Sequence, residues 1–321
     1  MKHHSVVLPS FTNVLLFVAI LSVSTQTHAD SLLNANQRIY IQYAPTLNKT
    51  ERQQAYQWLK QVADALRTVY GEWPKDKFNI TVKHGSRSDS PVPWGQVTRG
   101  NPDKVLLVIN PESTIQEITH DWTAFHELSH LLIPYRGYGD MWFSEGLATY
   151  YQNIIQARAG LMSETDLWNK LAAGFERGRQ QNQWSDKNLQ EVSDNMRQYR
   201  NFMRVHWSGV HYWLTADIEL RKQSQNKITL DYVLKLLKNC CQHQSMSVTE
   251  IVEQLDQLAG ITIFKPLFLE YRASHAMPDY RPALTGLGVM IHQQNYKTDV
   301  SLKANAPDSH IRTNIYNGSG D

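Results

Sequence analysis

Little in this 321-residue chain could staple a fold, span a membrane or hold a polyanion. Its only cysteines, Cys240 and Cys241, are adjacent and so cannot tie distant segments together. A vicinal disulfide, pairing between chains and free thiols are the three states open to them. A thiolate metal site is not supported, because no second ligand pair lies nearby and His243 stands alone. Charge of one sign is also lacking: 32 Lys and Arg against 30 Asp and Glu leave a formal charge of +2. With no basic stripe interleaved with aromatics, neither nucleic acid nor an anionic membrane is expected as the main partner. There is no internal repeat. Long hydrophobic runs are missing too, for the apolar stretch from about Val14 to Val23 is near ten residues, too short for a permanent bilayer crossing.

That short stretch is informative in its setting. Lys2-His3-His4 precedes it, and the small residues of Thr27-His28-Ala29 end just before Asp30, the layout of a cleaved export signal. Residues 1–29 are therefore expected to be a signal peptide, with an uncleaved anchor as the alternative and a periplasmic or secreted location implied. Removing 29 of 321 residues leaves 292, enough for one large or two small domains, with no integral membrane span expected after removal.

What the chain does contain is a metal-ligand pattern. Residues 126 to 130 read His-Glu-Leu-Ser-His. On a helix, residues four apart share a face, so His126 and His130 can present two imidazoles to one ion while Glu127 turns toward the adjoining space. The spacing predicts a helix from Thr119 to Ile133, with Trp122, Phe125, Leu128, Leu131 and Leu132 on its buried side and Pro134 closing it. A catalytic zinc usually takes three protein ligands, and Glu145 is the third candidate, on a second helix from about Phe143 to Ala159 that Gly160 ends. Gly146 lowers helix stability where it stands and suggests close packing beside a neighbour such as the metal helix. For the outward N–H of a metal histidine, Thr149, Asp140, Asp121 or a backbone carbonyl are the candidate acceptors.

Upstream, Arg38 to Tyr43 alternates like a half-buried strand. Thr50 with Gln53 reads as a capping box, and Ala55, Trp58, Leu59, Val62, Leu66 and Val69 mark the stripe of a helix ending at Gly71. Phe78 to Val82 and Val105 to Ile109 are further strands. Gly95 to Thr98 is expected to pair with the last of these as an edge beside the metal, suited to holding an extended peptide. Beyond Gly160 the chain reads as helical, including Val248 to Leu258. The polar end from Lys297 to Asp321 is expected to be a loose tail.

The His-Glu-x-x-His followed by Trp142-Phe143-Ser144-Glu145-Gly146-Leu147-Ala148-Thr149-Tyr150-Tyr151 resembles the gluzincin metallopeptidases, in particular the glycyl aminopeptidase family. Val205 to Gly209, Trp213 to Arg221, Ile228 to Leu234 and Phe264 to Gly288 continue the resemblance, which covers roughly residues 105 to 290. It implies an α+β, thermolysin-like catalytic domain: a small N-terminal α/β lobe (30–118), a zinc-binding and helical lobe (119–296) and the polar tail (297–321). It also implies one Zn²⁺ held by His126, His130 and Glu145, Glu127 as general base, and a peptide or protein substrate.

Two departures stand against that pattern. The family's tyrosine before Lys-Gly, which helps hold the oxyanion, is matched by His206, and Ser208 replaces the lysine. His206 is the first candidate donor, with a packed, non-catalytic His206 as the other reading and His211 and Tyr212 as substitutes. The amine-reading acid of the family has no counterpart in Trp94 to Thr98. Peptidase action is thus better supported than aminopeptidase action, and the alternative from another class is a catalytically weak peptidase-like fold that binds peptides or proteins.

Overall fold

The computed structural model describes residues 28–294 and 297–318. Of the expected signal peptide, residues 1–27 lie outside the described residues, while His28 and Ala29 open the first strand. Among the described residues no helix is long and apolar enough to cross a membrane.

The chain first builds a five-stranded sheet. Strands β1 (His28–Asn34) and β2 (Gln37–Tyr43) form an antiparallel pair. In β2 every second residue is buried, so Ile39, Ile41 and Tyr43 reach the core while their neighbours face water. Helix α1 (Lys49–Tyr70) crosses over to β3 (Lys77–His84), which pairs parallel with β2. The expected apolar stripe of α1 is buried throughout, and Gly71 ends it at φ +82°. Its capping box, however, is Asn48 with Glu51 rather than Thr50 with Gln53. Asn48 is as good a cap as threonine and places the acid three residues on, so it wins the helix start.

Strand β4 (Trp94–Thr98) then turns back along β5 (Asp103–Ile109) in antiparallel register, as its sequence suggests. The sheet order is β1-β2-β3-β5-β4, so β4 is a free edge. Next come α2 (Ile115–His120) and α3 (Thr123–Ser129), with a single 3₁₀ turn at His130–Leu132. The single helix expected from Thr119 to Ile133 is thus two. Asp121 is extended (ψ 143°) and its Oδ1 accepts the Thr123 N–H at 2.7 Å, which breaks the run and restarts it. Trp122, expected inside, is 49% exposed as a result.

The helical lobe follows. It comprises α4 (Met141–Arg158), α5 (Glu164–Gln180), the short α6 (Leu189–Asp194) and α7 (Met196–Tyr199), and the long α8 (Phe202–Gln223). Then come α9 (Leu230–Cys241), α10 (Val248–Ala259), α11 (Phe264–Ala273) and α12 (Arg281–Gly286). The architecture is mixed α/β, an N-terminal sheet beside a helical lobe.

Three further features complete the fold. Cys240 and Cys241 form a vicinal disulfide, the first of their three open states. The loose tail expected from Lys297 is instead ordered over most of its length. Strand β6 (Val289–Gln294) pairs with β7 (Lys297–Leu302), and α13 (Ser309–Asn317) buries Ile311 and Ile315. Arg312 reaches Glu164 at 2.9 Å and Arg158 donates to the Ile315 carbonyl, so a few apolar anchors and two buried cations hold a polar segment. At the centre, α4 and α8 cross in near backbone contact. A Cβ on Gly146 would lie 2.3 Å from the Gly209 backbone, so the neighbour that Gly146 makes room for is α8 and not the metal helix.

Candidate active site

Two elements carry the site. Every residue of α3 is buried, and the turn after it is held from outside: Arg99 donates to the His130 carbonyl at 2.7 Å, and the Tyr70 hydroxyl to the Leu132 carbonyl at 2.7 Å. On α4, Glu145 sits one turn in from a start fixed by Asp140, whose φ of +48° turns the chain into the helix. Asp140 is itself pinned by Arg272 at 2.9 Å.

The two elements converge on one carboxylate oxygen. His126 Nε2 lies 3.2 Å and His130 Nε2 3.6 Å from Glu145 Oε2. The three potential donors all lie within 4.8 Å of one another. Four ligands at zinc–donor bonds of about 2.0–2.1 Å in a tetrahedron stand about 3.3 Å apart, so the two spacings to Glu145 suit such an ion.

Protonation agrees with the geometry. The His126 Nδ1 lies 2.8 Å from Gln152 Oε1, an atom that can only accept, so Nδ1 carries a proton and Nε2 is the nitrogen turned to Glu145. His130 Nδ1 lies 3.2 Å from Ser144 Oγ. Burial pulls the His130 imidazole down to about 3 against the attraction of Glu145, so this ring is neutral at ordinary pH. For Glu145, burial works upward, but the histidines around it, with the His126 hydrogen bond among them, outweigh it and hold the carboxyl below the usual carboxylate range. Burial raises Glu127 to about 7 while His126 opposes it and Glu145 adds to it.

Glu127, His126, His130 and Glu145 line one cleft of about 280 Å³, whose opposite wall is Trp94 to Val97 of the edge strand. The approach is close. A Cβ on Gly95 would fall 2.4 Å from Glu127 Cγ and 2.8 Å from its Oε1, so only glycine lets the strand pass there. Glu127 and Glu145 are the only carboxylates lining the cleft among the described residues.

His206 lies beside these groups. Its Nε2 is 3.8 Å from Glu145 Oε2, its Nδ1 is 3.3 Å from Thr149 Oγ1, and its ring stacks 6.1 Å from that of His126. The two substitutes are elsewhere: Tyr212 donates to the Phe264 carbonyl at 3.0 Å, and His211 is packed against Tyr271 at 2.9 Å. None of the expected side-chain acceptors supports a metal histidine. Asp121 accepts the Thr123 N–H, Asp140 holds Arg272 and Thr149 faces His206; the side chains that meet the outward Nδ1 atoms are Gln152 and Ser144, neither of them among the expected acceptors. Gln152 stands seven residues after Glu145, two turns along the same face of α4, and that spacing was the available signal.

Comparison with known proteins agrees with this picture. The family model for M61 glycyl aminopeptidase matches residues 136–232, a span that holds Glu145 and His206 but begins after the two histidines. Among solved structures, an aminopeptidase N family protein from Idiomarina loihiensis superimposes with a TM-score of 0.58 at 15% identity, covering 84% of this chain and 50% of its own. An M1 zinc metallopeptidase from Deinococcus radiodurans, solved with a Tyr-Ser-Ala substrate, matches at a TM-score of 0.48 and 15% identity, over 79% and 53% of the two chains. The chain spans about half the length of these structures, and at 15% identity the likeness to the Idiomarina protein is one of fold. No curated protein sequence matches. Family match, fold and the His-His-Glu cluster together support the class of zinc metallopeptidases. Within that class the chain resembles the glycyl aminopeptidase family.

Proposed function

We propose that this chain is an exported, zinc-dependent peptidase of the thermolysin-like gluzincin type, acting on peptides or proteins with one ion held by His126, His130 and Glu145. The observation that carries the reading is the convergence of both Nε2 atoms on Glu145 Oε2, with Glu127 on the wall of the same cleft. In this reading residues 1–29 direct export, residues 30–118 form the lobe that supplies the peptide-holding edge, and residues 119–296 supply the metal ligands.

Zinc at this position supplies a Lewis acid that acidifies water and polarises a carbonyl. The protein's own groups do the rest. The edge of β4 aligns an extended substrate beside the cleft by main-chain hydrogen bonds. Glu127, held at a proton affinity near neutrality, takes the proton of the attacking water and passes it to the leaving nitrogen. His206 donates a hydrogen bond to the carbonyl oxygen as it gains charge. With Glu127 and Glu145 both engaged, the cleft keeps no further carboxylate among the described residues to read a free amino terminus, so peptides with blocked amino ends are accepted.

The test is direct. Zinc per chain is measured on the purified protein, and free and acetylated peptides are offered to it and to Glu127→Gln. One zinc per chain, cleavage of both peptides and at least about a thousandfold loss in Glu127→Gln are expected. Unchanged turnover in that variant would remove Glu127 from the mechanism. Zinc binding with no cleavage by the unaltered protein would leave a peptide-binding module instead.

A further inference from the structure

A second hollow, of about 550 Å³, shares His126 with the cleft and has His206 in its wall. Its construction is particular. Trp207, one residue beyond His206, lies flat on α5 because that helix has glycine where the ring rests: a Cβ on Gly174 would stand 2.0 Å from the indole and one on Gly178 2.7 Å from the Trp207 Cβ. Trp122 and Phe202, 49% and 37% exposed, add apolar surface around this floor.

Two cations complete the hollow. Lys170 and Arg177 are seven residues apart on α5, so they project from one face of the helix about 10 Å apart along its axis. Arg177 holds its guanidinium 5.3 Å from the Trp207 ring centroid. Neither makes an ion pair among the described residues, although Arg179 on the same helix is paired with Glu176 at 2.6 Å. Asp166, one turn before Lys170, accepts from the Ser163 hydroxyl and attracts Lys170 without reaching ion-pair distance. An aromatic floor between cations that lack an ion pair, in a hollow whose wall includes His126 and His206, matches a ligand that is both apolar and anionic.

We infer that this hollow is a specificity pocket that receives an aromatic or large apolar residue of the substrate and pairs a substrate carboxylate with Lys170 and Arg177. The inference rests on the peptidase reading for the role of the neighbouring centre. The carboxylate is supplied either by the peptide's carboxyl terminus or by an acidic side chain.

Binding is measured by titration calorimetry on the zinc-loaded chain carrying Glu127→Gln, so that turnover does not consume the ligand. The ligands are Ala-Ala-Phe as free acid, the same peptide as its terminal amide, and the terminal amide of Ala-Ala-Glu. The free acid should bind about tenfold more tightly than its amide, the lower range for a charge-assisted hydrogen bond at a partly exposed site. With Lys170→Gln and Arg177→Gln added, the preference should fall below about twofold. Ala-Ala-Glu amide matching the free acid assigns the preference to a side chain, and its matching the Phe amide assigns it to the terminus; both support the pocket. Equal binding of acid and amide, or a preference that survives both substitutions, overturns it. Cleavage is scored separately on the chain with Glu127 intact. Preference without cleavage counts against the peptidase reading alone, and cleavage without preference against the pocket alone.

Discussion

The crossing of α4 and α8 offers the sharpest test of how the fold places the third ligand. In Gly209→Ala the new methyl would stand 2.0 Å from the Trp142 carbonyl oxygen and 2.6 Å from the Gly146 Cα. Both obstacles are backbone, so no side chain can swing aside, and ordinary carbon–oxygen contact requires the helices to part by more than about 1 Å. Overpacking of this kind costs about 1–3 kcal/mol or more, while alanine in place of glycine inside a helix returns up to about 1 kcal/mol. A net loss near 2 kcal/mol corresponds to a fall in Tm of about 4 °C or somewhat more for a chain of this size. The same displacement carries Glu145, which neighbours Gly146, away from the two imidazoles, and zinc affinity should fall by at least about tenfold. Thermal unfolding of the metal-free protein and competition titration with a zinc chelator read the two effects separately. A Gly209→Ala protein with unchanged Tm and unchanged zinc affinity would refute the claim that this contact sets the position of Glu145.

Other outcomes follow from single contacts. Gln152→Ala removes the acceptor that fixes the His126 tautomer, so zinc should bind about 10- to 100-fold more weakly, with Gln152→Glu restoring it. Gly95→Ala drives a methyl into Glu127 and should abolish most hydrolysis while zinc content, measured by atomic absorption, stays at the unaltered level. His211 is buried and neutral, its imidazole pulled down to about 4 by burial despite the opposing charge of Asp279. Its contribution is therefore complete above an unfolded value near 6.5 and is lost as pH falls toward about 4, on the order of 3 kcal/mol in all. Urea midpoints of the metal-free protein at pH 7 and pH 4.5 should fall less in His211→Gln than in the unaltered chain; equal falls would contradict the assignment.

Local chemistry in the chain determined a good deal by itself. Two histidines four apart lie on one side of their segment because helical spacing fixes which residues share a face, whereas Glu145 reaches them only because α4 packs against α3. Alternation in β2 and the continuous apolar run of β5 likewise specify strands without reference to anything distant. What only the tertiary structure decided depends on contacts between remote segments. Gln152 and Ser144 become supports of the imidazoles because α4 lies against α3, and Gly146 meets Gly209 across 63 positions (209 less 146). The end of the chain reads as polar, yet two buried isoleucines and Arg312 dock it, and whether so few anchors suffice depends on the surface they meet. Side-chain period reports which face of an element is apolar; which partner covers that face is set by how the whole chain packs.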